Sequence, residues 1–246
     1  MAKTQKYTDN RVNILGVGVT STSMLTVLTK IADICREKAK ARPFFLTTVN
    51  PEFVILAQSD PDFRDILNAS DMAIPDGVGL RLAAPNLTEI IPGRKLVEAV
   101  ATESKFRAKY KIFYLGGRGR VAHKMAEIYG GEWDAGEENI RAGERESKRI
   151  ISKINKYEPD ILFVAYGAPA QEKWIYANLD RIKARVVMGV GGSFDYLTGG
   201  AAAPPNWIGK IGLEWFWRLV HEPWRFKRQL ALVKFVILVV FGPLGR

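Results

Sequence analysis

One carboxylate in the sequence stands where an α/β protein would use it for chemistry. Asp76 follows a short apolar run, 72–74, and a proline, and two glycines come soon after it, Gly77 and Gly79. This pattern is typical of a buried strand whose end opens into a loop, where glycines let a ligand approach the backbone. Because open α/β sheets collect their ligands at strand ends, Asp76 is the first candidate for a chemical role. The alternative is an aspartate that only caps the following helix.

Polar or glycine residues also follow three other predicted strands. Thr48 and Asn50 close one strand, Gln171 lies in the turn after another, and Gly191 and Gly192 follow the last. Since the carboxyl ends of parallel strands meet at one edge of a sheet, we expect these residues near the candidate carboxylate, where they could contact a sugar or ribose. For Gln171 the alternative is the start of a surface helix.

Two glycine turns indicate phosphate binding. Gly16 and Gly18 lie where the predicted first strand, 12–19, runs into a glycine turn, and Gly116 and Gly117 follow the strand at 111–115. A glycine loop that leads into a helix binds phosphate because its N–H groups are unpaired and the helix dipole favours an anion. These turns indicate a nucleotide or sugar nucleotide, and a nicotinamide-dependent oxidoreductase is an alternative of another class. A tight turn that binds nothing is the alternative at each.

The sequence predicts neither a metal site nor a cofactor. One cysteine, Cys35, and two histidines, His123 and His221, are too few for a cysteine- or histidine-built metal centre. Asp60 and Asp62 have the Asp-x-Asp spacing of the metal clamp in many nucleotide-sugar enzymes. They lie between two predicted helices, however, where Asp and Pro are common start signals. We therefore interpret them as a helix start.

Strands and helices alternate along the first 199 residues. The predicted strands are 12–19, 44–49, 71–74, 111–115, 160–166 and 185–190, with room for a short strand within 130–144. Such alternation predicts an α/β fold with a mostly parallel, Rossmann-like sheet and helices on both faces. A glycine- and proline-rich stretch at 199–205 then has the composition of a linker. We expect an α/β catalytic domain over 1–199 and a C-terminal appendage over 200–246.

The appendage is basic and rich in aromatic residues. Between 204 and 246 seven basic residues stand against two acidic ones, which is half of the chain's net charge of +10. Its apolar run, 230–241, is short for crossing a bilayer, which takes roughly 20 residues. This mixture is typical of a helical segment that lies at the surface of an acidic membrane. The alternative is a pair of helices packed on the domain.

Further partners depend on the same appendage. A non-enzymatic adaptor that binds a membrane or nucleic acid would leave the polar strand ends without a role, so we predict no nucleic-acid partner. Solvent-facing tryptophans such as Trp207 and Trp215 could bury themselves by self-association, which leaves a homo-oligomer open. The N-terminus is polar and has no apolar signal-peptide region, which predicts a cytoplasmic location.

Long stretches of the sequence resemble the WecG/TagA/CpsF family of bacterial glycosyltransferases. They are TTVNPE (47–52), DPDFRDILNASD (60–71), PDGVGL (75–80), FYLGG (113–117), PDILFVAYGAPAQEKW (159–174), GVGGSFD (189–195), GLEWFWRL (212–219) and EPWRFKR (222–228). The resemblance implies an inverting, metal-independent transfer of a sugar from a UDP donor to an undecaprenyl-diphosphate-linked sugar. It places the protein at the cytoplasmic face of the plasma membrane, in cell-wall or surface-polysaccharide synthesis.

The resemblance also implies a donor and an acceptor. In the best-known branch, as in wall teichoic acid linkage synthesis, N-acetylmannosamine is transferred to an acceptor that carries N-acetylglucosamine. Other branches use a uronic acid or glucose. The segments 83–95 and 130–143 diverge from the family pattern, so the donor sugar stays open.

Individual residues acquire roles from the resemblance. Asp76 matches the family's proposed general base, and Arg94 matches an arginine of its pocket. Thr48, Asn50 and Gln171 match other pocket residues. The arginines thought to fold over the active site at the membrane are matched by three residues of the appendage, Arg218, Arg225 and Arg228.

Overall fold

The computed structural model describes residues 10–37, 42–136, 148–201 and 226–242, and also Pro205, Ile208, Trp217 and Val220. The strands are β1 (Arg11–Ile14), β2 (Val17–Thr20), β3 (Phe44–Val49), β4 (Met72–Pro75), β5 (Ile112–Gly116), β6 (Glu132–Asp134), β7 (Ile161–Ala165) and β8 (Val186–Gly189). The helices are α1 (Met24–Arg36), α2 (Pro51–Ser59), α3 (Pro61–Ala69), α4 (Gly93–Arg107), α5 (Val121–Tyr129), α6 (Lys148–Tyr157), α7 (Ala170–Asn178), α8 (Ser193–Leu197) and α9 (Phe226–Phe241), with 3₁₀ helices at Val78–Leu82 and Leu179–Arg181.

Six of the strands form one parallel sheet, in the order β4-β3-β8-β7-β5-β6. Five of these, β3, β4, β5, β7 and β8, are buried along their whole length. Strands buried on both faces are apolar throughout, which is why they stand out in the sequence as short continuous apolar runs. The predicted α/β fold with a mostly parallel sheet is confirmed, and the carboxyl ends of these strands meet at one edge.

Helices cover both faces of this sheet. Along β5, Ile112 and Tyr114 belong to one core cluster, and Phe113 and Leu115 belong to another. Successive side chains of a strand point to opposite faces, so the two clusters lie on opposite sides of the sheet. The first cluster includes residues of α1, α4 and α5, and the second includes residues of α6 and α7. The predicted double covering is confirmed.

The N-terminal strand differs from its prediction. Instead of one strand over 12–19, β1 and β2 form an antiparallel hairpin outside the six-stranded sheet. The turn residues are Leu15 and Gly16, with φ of 51° and 86°. Two-residue hairpin loops favour positive φ at both central residues because that twist matches the twist of the strands. The glycine that suggested a strand-to-helix turn therefore closes a hairpin.

The last helix, α9, packs against α2 and the first 3₁₀ helix. Phe235 is fully buried there, in a core cluster that also contains Phe53 of α2 and Leu80 of the 3₁₀ helix. The opposite side of α9 exposes five large apolar residues, Leu230, Val233, Ile237, Val240 and Phe241. No helix among the described residues combines the length and the apolar character that a membrane span requires.

Candidate active site

The candidate site lies at the carboxyl edge of β3 and β4. Val49 and Pro75 are the last residues of these strands and stand opposite each other in the ladder. Asn50 and Asp76 follow them directly, and the backbone N–H of Asp76 donates to the carbonyl oxygen of Val49 at 2.7 Å. The parallel register therefore places the candidate carboxylate and the predicted amide contact on neighbouring strand ends.

Gly93 brings a third element to this edge. A β-carbon at Gly93 would lie 3.1 Å from Cγ2 of Thr48 and 3.3 Å from Oδ2 of Asp76. The segment before α4 is held to the end of β4, because the N–H of Ile91 donates to the carbonyl oxygen of Pro75 at 2.7 Å. The N-terminus of α4 thus meets Thr48 and Asp76, and the positive end of a helix dipole is favourable beside a carboxylate.

Asp76 is not the N-cap residue of the helical turn that follows it. The 3₁₀ helix that follows begins after Gly77, which has φ of 106° and provides no side-chain cap. By contrast, Asn50 does cap a helix, since its Oδ1 accepts a hydrogen bond from the N–H of Phe53 at 3.0 Å at the start of α2. One amide oxygen of the predicted pocket is thus already used within the protein.

Gln171 is a buried residue of α7. It lies in the first turn of α7 but is only 2% exposed, so it is not at the start of a surface helix. Its Oε1 accepts from the N–H groups of Gly167 at 3.1 Å and Gly191 at 2.9 Å, and its Nε2 donates to Oε1 of Glu172 at 2.7 Å. The amide that was predicted to contact substrate is used inside the protein in this structure, where it links the loops after β7 and β8.

Glu172 was not identified from the sequence as a candidate site residue. It is fully buried, and burial raises the pKa of its carboxyl group to about 7, although hydrogen bonds from Gln171 and from its own backbone N–H oppose the shift. Its Oε2 has no hydrogen-bond partner among the described residues. A sequence signal existed, because Glu172 and Ile175 are three residues apart on the buried face of α7, where a carboxylate is unusual.

The two predicted phosphate turns have different structures. The N–H groups of Gly16 and Gly18 donate to Oδ1 of Asn13 at 2.8 Å and Oδ1 of Asn68 at 2.9 Å. Because these donors are used within the protein and the turn leads into β2 rather than a helix, the expectation of a strand-to-helix phosphate loop is wrong there. The turn after β5 does lead into a helix, α5.

Gly116 and Gly117 end β5 and begin the loop before α5. A β-carbon at Gly116 would lie 2.8 Å from the ring of Tyr166, so a glycine is needed there to admit an aromatic ring of the protein. The N–H of Gly117 donates to the carbonyl oxygen of Ala165 at 3.0 Å. Two strands, β8 and β7, lie between β3 and β5. Three strand spacings therefore separate β3 from β5, which is roughly 14 Å. Any phosphate contact here would thus lie well away from Asn50.

Gly191 and Gly192 lie closer to the candidate site, at the end of β8, which is the neighbour of β3. Gly191 has φ of 51°, and Gly192 precedes α8. Arg94 is the second residue of α4, next to Gly93. The appendage arginines Arg218 and Arg225 lie outside the described residues, and Arg228 lies in α9, where its side chain is not described.

The helix-start interpretation of Asp60 is confirmed. Its Oδ1 accepts from the N–H of Phe63 at 3.0 Å as the cap of α3, and its Oδ2 pairs with Nζ of Lys173 at 2.7 Å. The hydrogen bond from Lys173 is the main reason why the pKa of the Asp60 carboxyl is lowered. The part of the chain that the structure describes contains no group of three His, Cys, Asp or Glu residues arranged to hold a metal ion.

An open parallel sheet with polar residues at adjacent carboxyl ends defines an α/β protein of the kind that binds ligands at this edge. The sequence model of the Glycosyl transferase WecG/TagA/CpsF family matches residues 12–246, and the chain belongs to this family. Family membership confirms the resemblance and favours the transferase over the oxidoreductase and the adaptor.

Three similar curated proteins carry the same name. The chain is 32% identical over 205 residues to an N-acetylglucosaminyldiphosphoundecaprenol N-acetyl-beta-D-mannosaminyltransferase of Bacillus subtilis (strain 168), covering 79% of this chain and 78% of the relative. It is 27% identical over 237 residues to the protein of the same name from Staphylococcus aureus (strain MRSA252), covering 92% of this chain and 91% of the relative. A Bacillus spizizenii protein of that name is 29% identical over 203 residues.

Proposed function

We propose that this protein is a hexosyltransferase that moves N-acetylmannosamine from a UDP donor to N-acetylglucosamine linked to undecaprenyl diphosphate. The acceptor and the transferred sugar are those in the names of the relatives. The alignment spans most of both proteins, since the match to the Staphylococcus aureus relative covers 92% of this chain and 91% of the relative. Such a transfer belongs to the synthesis of cell-wall or surface polysaccharide.

One observation carries the assignment of the chemistry: Asp76 stands at the carboxyl edge of the sheet, where Gly93 lies beside both Asp76 and Thr48. A hydroxyl that attacks an anomeric carbon needs a base within hydrogen-bond reach. Asp76 would take the proton of the acceptor hydroxyl as the oxygen forms its bond to C1 of the donor sugar. The bond between C1 and the diphosphate oxygen breaks, and UDP leaves with the electron pair. A single displacement of this kind inverts the anomeric centre.

The departing diphosphate needs its negative charge compensated. Arg94 is the second residue of α4 and directly follows Gly93, which lies beside Asp76. The appendage arginines Arg218, Arg225 and Arg228 would add to it, because guanidinium groups bind phosphate oxygens in pairs. We propose that these arginines compensate the charge of the diphosphate without a metal ion, as the family resemblance implies.

The outer face of α9 supports an association with the membrane that holds the acceptor. Its exposed apolar residues, Leu230, Val233, Ile237, Val240 and Phe241, recur at helical spacing on the side opposite the buried Phe235. Apolar faces of this kind bury themselves in the interfacial region of a bilayer, and nearby basic residues favour anionic lipids. We propose a peripheral protein at the cytoplasmic face of the plasma membrane.

A turnover assay tests the proposed reaction. The full-length protein is incubated with UDP-N-acetylmannosamine and a polyprenyl-diphosphate-linked N-acetylglucosamine, and both UDP release and the disaccharide lipid are measured. Parallel reactions contain EDTA, UDP-glucose or a UDP-uronic acid. We expect product with UDP-N-acetylmannosamine in the presence of EDTA. Transfer only from another donor would replace the sugar in the proposal, and loss of activity in EDTA would overturn its metal independence.

A further inference from the structure

The first turn of α7 contains two adjacent buried polar side chains, Gln171 and Glu172, which are 2% and 0% exposed. Their amide and carboxyl groups are joined by the 2.7 Å hydrogen bond from Nε2 of Gln171 to Oε1 of Glu172. Neighbouring residues of a helix normally point in different directions, so two neighbours that are both buried and bonded to each other form an unusual pair. The pair has no direct place in the proposed chemistry, yet it lies directly behind the glycine loops of the site.

The orientation of the Gln171 amide decides what it can bind. A carboxamide has an acceptor oxygen and a donor NH₂ group, and turning it over exchanges the two. In this structure the oxygen faces two N–H donors, those of Gly167 and Gly191. Only one orientation satisfies these donors, because the reverse orientation would point an NH₂ group at two N–H groups. The Glu172 carboxyl group accepts from the NH₂ side and therefore stabilises the same orientation.

The backbone at the end of β8 is shaped to admit this pair. A β-carbon at Gly189 would lie 2.7 Å from both Nε2 of Gln171 and Oε1 of Glu172. Carbon atoms do not approach polar atoms so closely, so only a glycine at the last position of β8 leaves room for the bonded pair. Gly189 stands opposite Val164 in the ladder, which places the pair behind the adjoining ends of β7 and β8.

From this arrangement we infer that Glu172 is a positioning residue of the transferase. By fixing the amide of Gln171 it holds the loops after β7 and β8 together at the edge that receives the substrates. The loop after β8 contains Gly191, and β8 is the neighbour of β3, the strand that ends at Val49 just before Asn50. The role in catalysis rests on the proposed function, whereas the role in holding the two loops does not.

Three variants separate this role from a structural one. Glu172→Gln keeps an acceptor oxygen for Nε2 of Gln171, Glu172→Met fills a similar volume without an acceptor, and Gly189→Ala pushes on the bonded pair. Glu172→Met removes a buried carboxyl group with an unpartnered oxygen but also the acceptor of Nε2 of Gln171, so thermal unfolding is measured for each variant beside the wild type. Lys173→Met, on the same helix turn, breaks the ion pair with Asp60 and serves as the matched control.

Amide hydrogen exchange of the full-length protein, followed by NMR, measures how well the N–H groups of the two loops are protected, and it needs no substrate. In Glu172→Met and Gly189→Ala we expect the N–H groups of Gly167 and Gly191 to exchange several-fold to about tenfold faster, the range that one hydrogen bond accounts for. Wild-type exchange should persist in Glu172→Gln and Lys173→Met. Unchanged exchange in Glu172→Met would overturn the inference.

Turnover then tests the link to catalysis. We expect the turnover of Glu172→Met to fall on the order of tenfold to a hundredfold, as misplaced site elements do, and Glu172→Gln to restore most of it. Wild-type turnover in Glu172→Met, or an equal loss in Glu172→Gln, would overturn the positioning role. If the wild type transfers no sugar while the exchange results are as expected, the proposed reaction fails and the loop-holding role stands.

Discussion

Gly93 and Asp76 lie so close together that a β-carbon on the glycine would stand 3.3 Å from the carboxylate Oδ2. The same β-carbon would be 3.1 Å from Cγ2 of Thr48. The first residue of α4 therefore sets the space around the candidate base. A side chain at this position would crowd the Asp76 carboxylate.

A Gly93→Ala substitution should reduce activity without reducing stability. Alanine is favoured over glycine in a helix by up to about 1 kcal/mol, so the free energy of unfolding should stay the same or rise. The new methyl group crowds Thr48 and Asp76, and turnover should fall roughly tenfold. Steady-state kinetics and thermal unfolding check the two expectations, with Glu98→Ala on the exposed face of α4 as the control. Full activity in Gly93→Ala would show that this contact does not shape the site.

The Asp76→Asn substitution tests the base. Removing a general base lowers turnover by about a hundredfold to ten-thousandfold, while the isosteric amide should leave the loop and UDP binding in place. Single-turnover measurements and a UDP titration on the same preparation separate these effects. Turnover near the wild-type level would remove Asp76 from the role. Loss of UDP binding together with turnover would mean that the carboxylate acts in binding.

Glu172 gives stability a pH dependence of known sign. Its pKa is raised from 4.5 to about 7 by burial, so the folded state binds the proton more tightly than the unfolded state. The stabilising contribution is fully present below pH 4.5 and is lost as the pH rises through about 7, a change of about 3 kcal/mol for a shift of this size. Denaturant unfolding at a series of pH values should show this loss in the wild type.

The Glu172→Gln variant is the comparison for that experiment, because it cannot titrate. The difference in unfolding free energy between the two proteins should change in favour of the variant as the pH rises from 5 to 8. Asp60 and Asp134, whose pKa values are lowered, contribute equally to both proteins and cancel. A constant difference across this range would mean that Glu172 does not titrate there.

The two faces of α9 should respond differently to substitution. Phe235 is fully buried, so Phe235→Ala should destabilise the protein by about 3–5 kcal/mol. Ile237 is half exposed, so Ile237→Ser should leave the unfolding free energy nearly unchanged but weaken sedimentation with vesicles that contain anionic lipid. Val54→Ala in the adjoining core provides a second buried substitution. Equal vesicle binding by Ile237→Ser and the wild type would contradict the proposed membrane face.

The strands of the sheet could be predicted closely because each is a short, fully buried run. For β3 the predicted and observed bounds, Phe44–Val49, are identical, and β6 lies within the stretch expected to hold a short strand. The hairpin could not be distinguished from a single strand because its turn, Leu15 and Gly16, interrupts the apolar pattern with only one glycine. Local sequence does not reveal which strand an edge will pair with.

The candidate site was predictable in its location and less so in its contacts. Strand ends locate Thr48, Asn50 and Asp76, since register follows from the parallel sheet. The inward direction of Gln171 could not be derived, because it depends on hydrogen bonds to Gly167 and Gly191, which are brought together only by folding. Glycine composition likewise suggested ligand contact at Gly116, where the structure shows an aromatic neighbour, Tyr166.

Gly79, in the first 3₁₀ helix after Asp76, lies between Pro51 and Leu232. A β-carbon there would be 2.9 Å from Cγ of Pro51 and 3.2 Å from Cδ1 of Leu232 on α9. The loop that presents the candidate base is therefore wedged between α2 and the helix that bears the exposed apolar face. Because these segments are in contact, binding of α9 to a membrane, as proposed, would act directly on the loop that carries the candidate base.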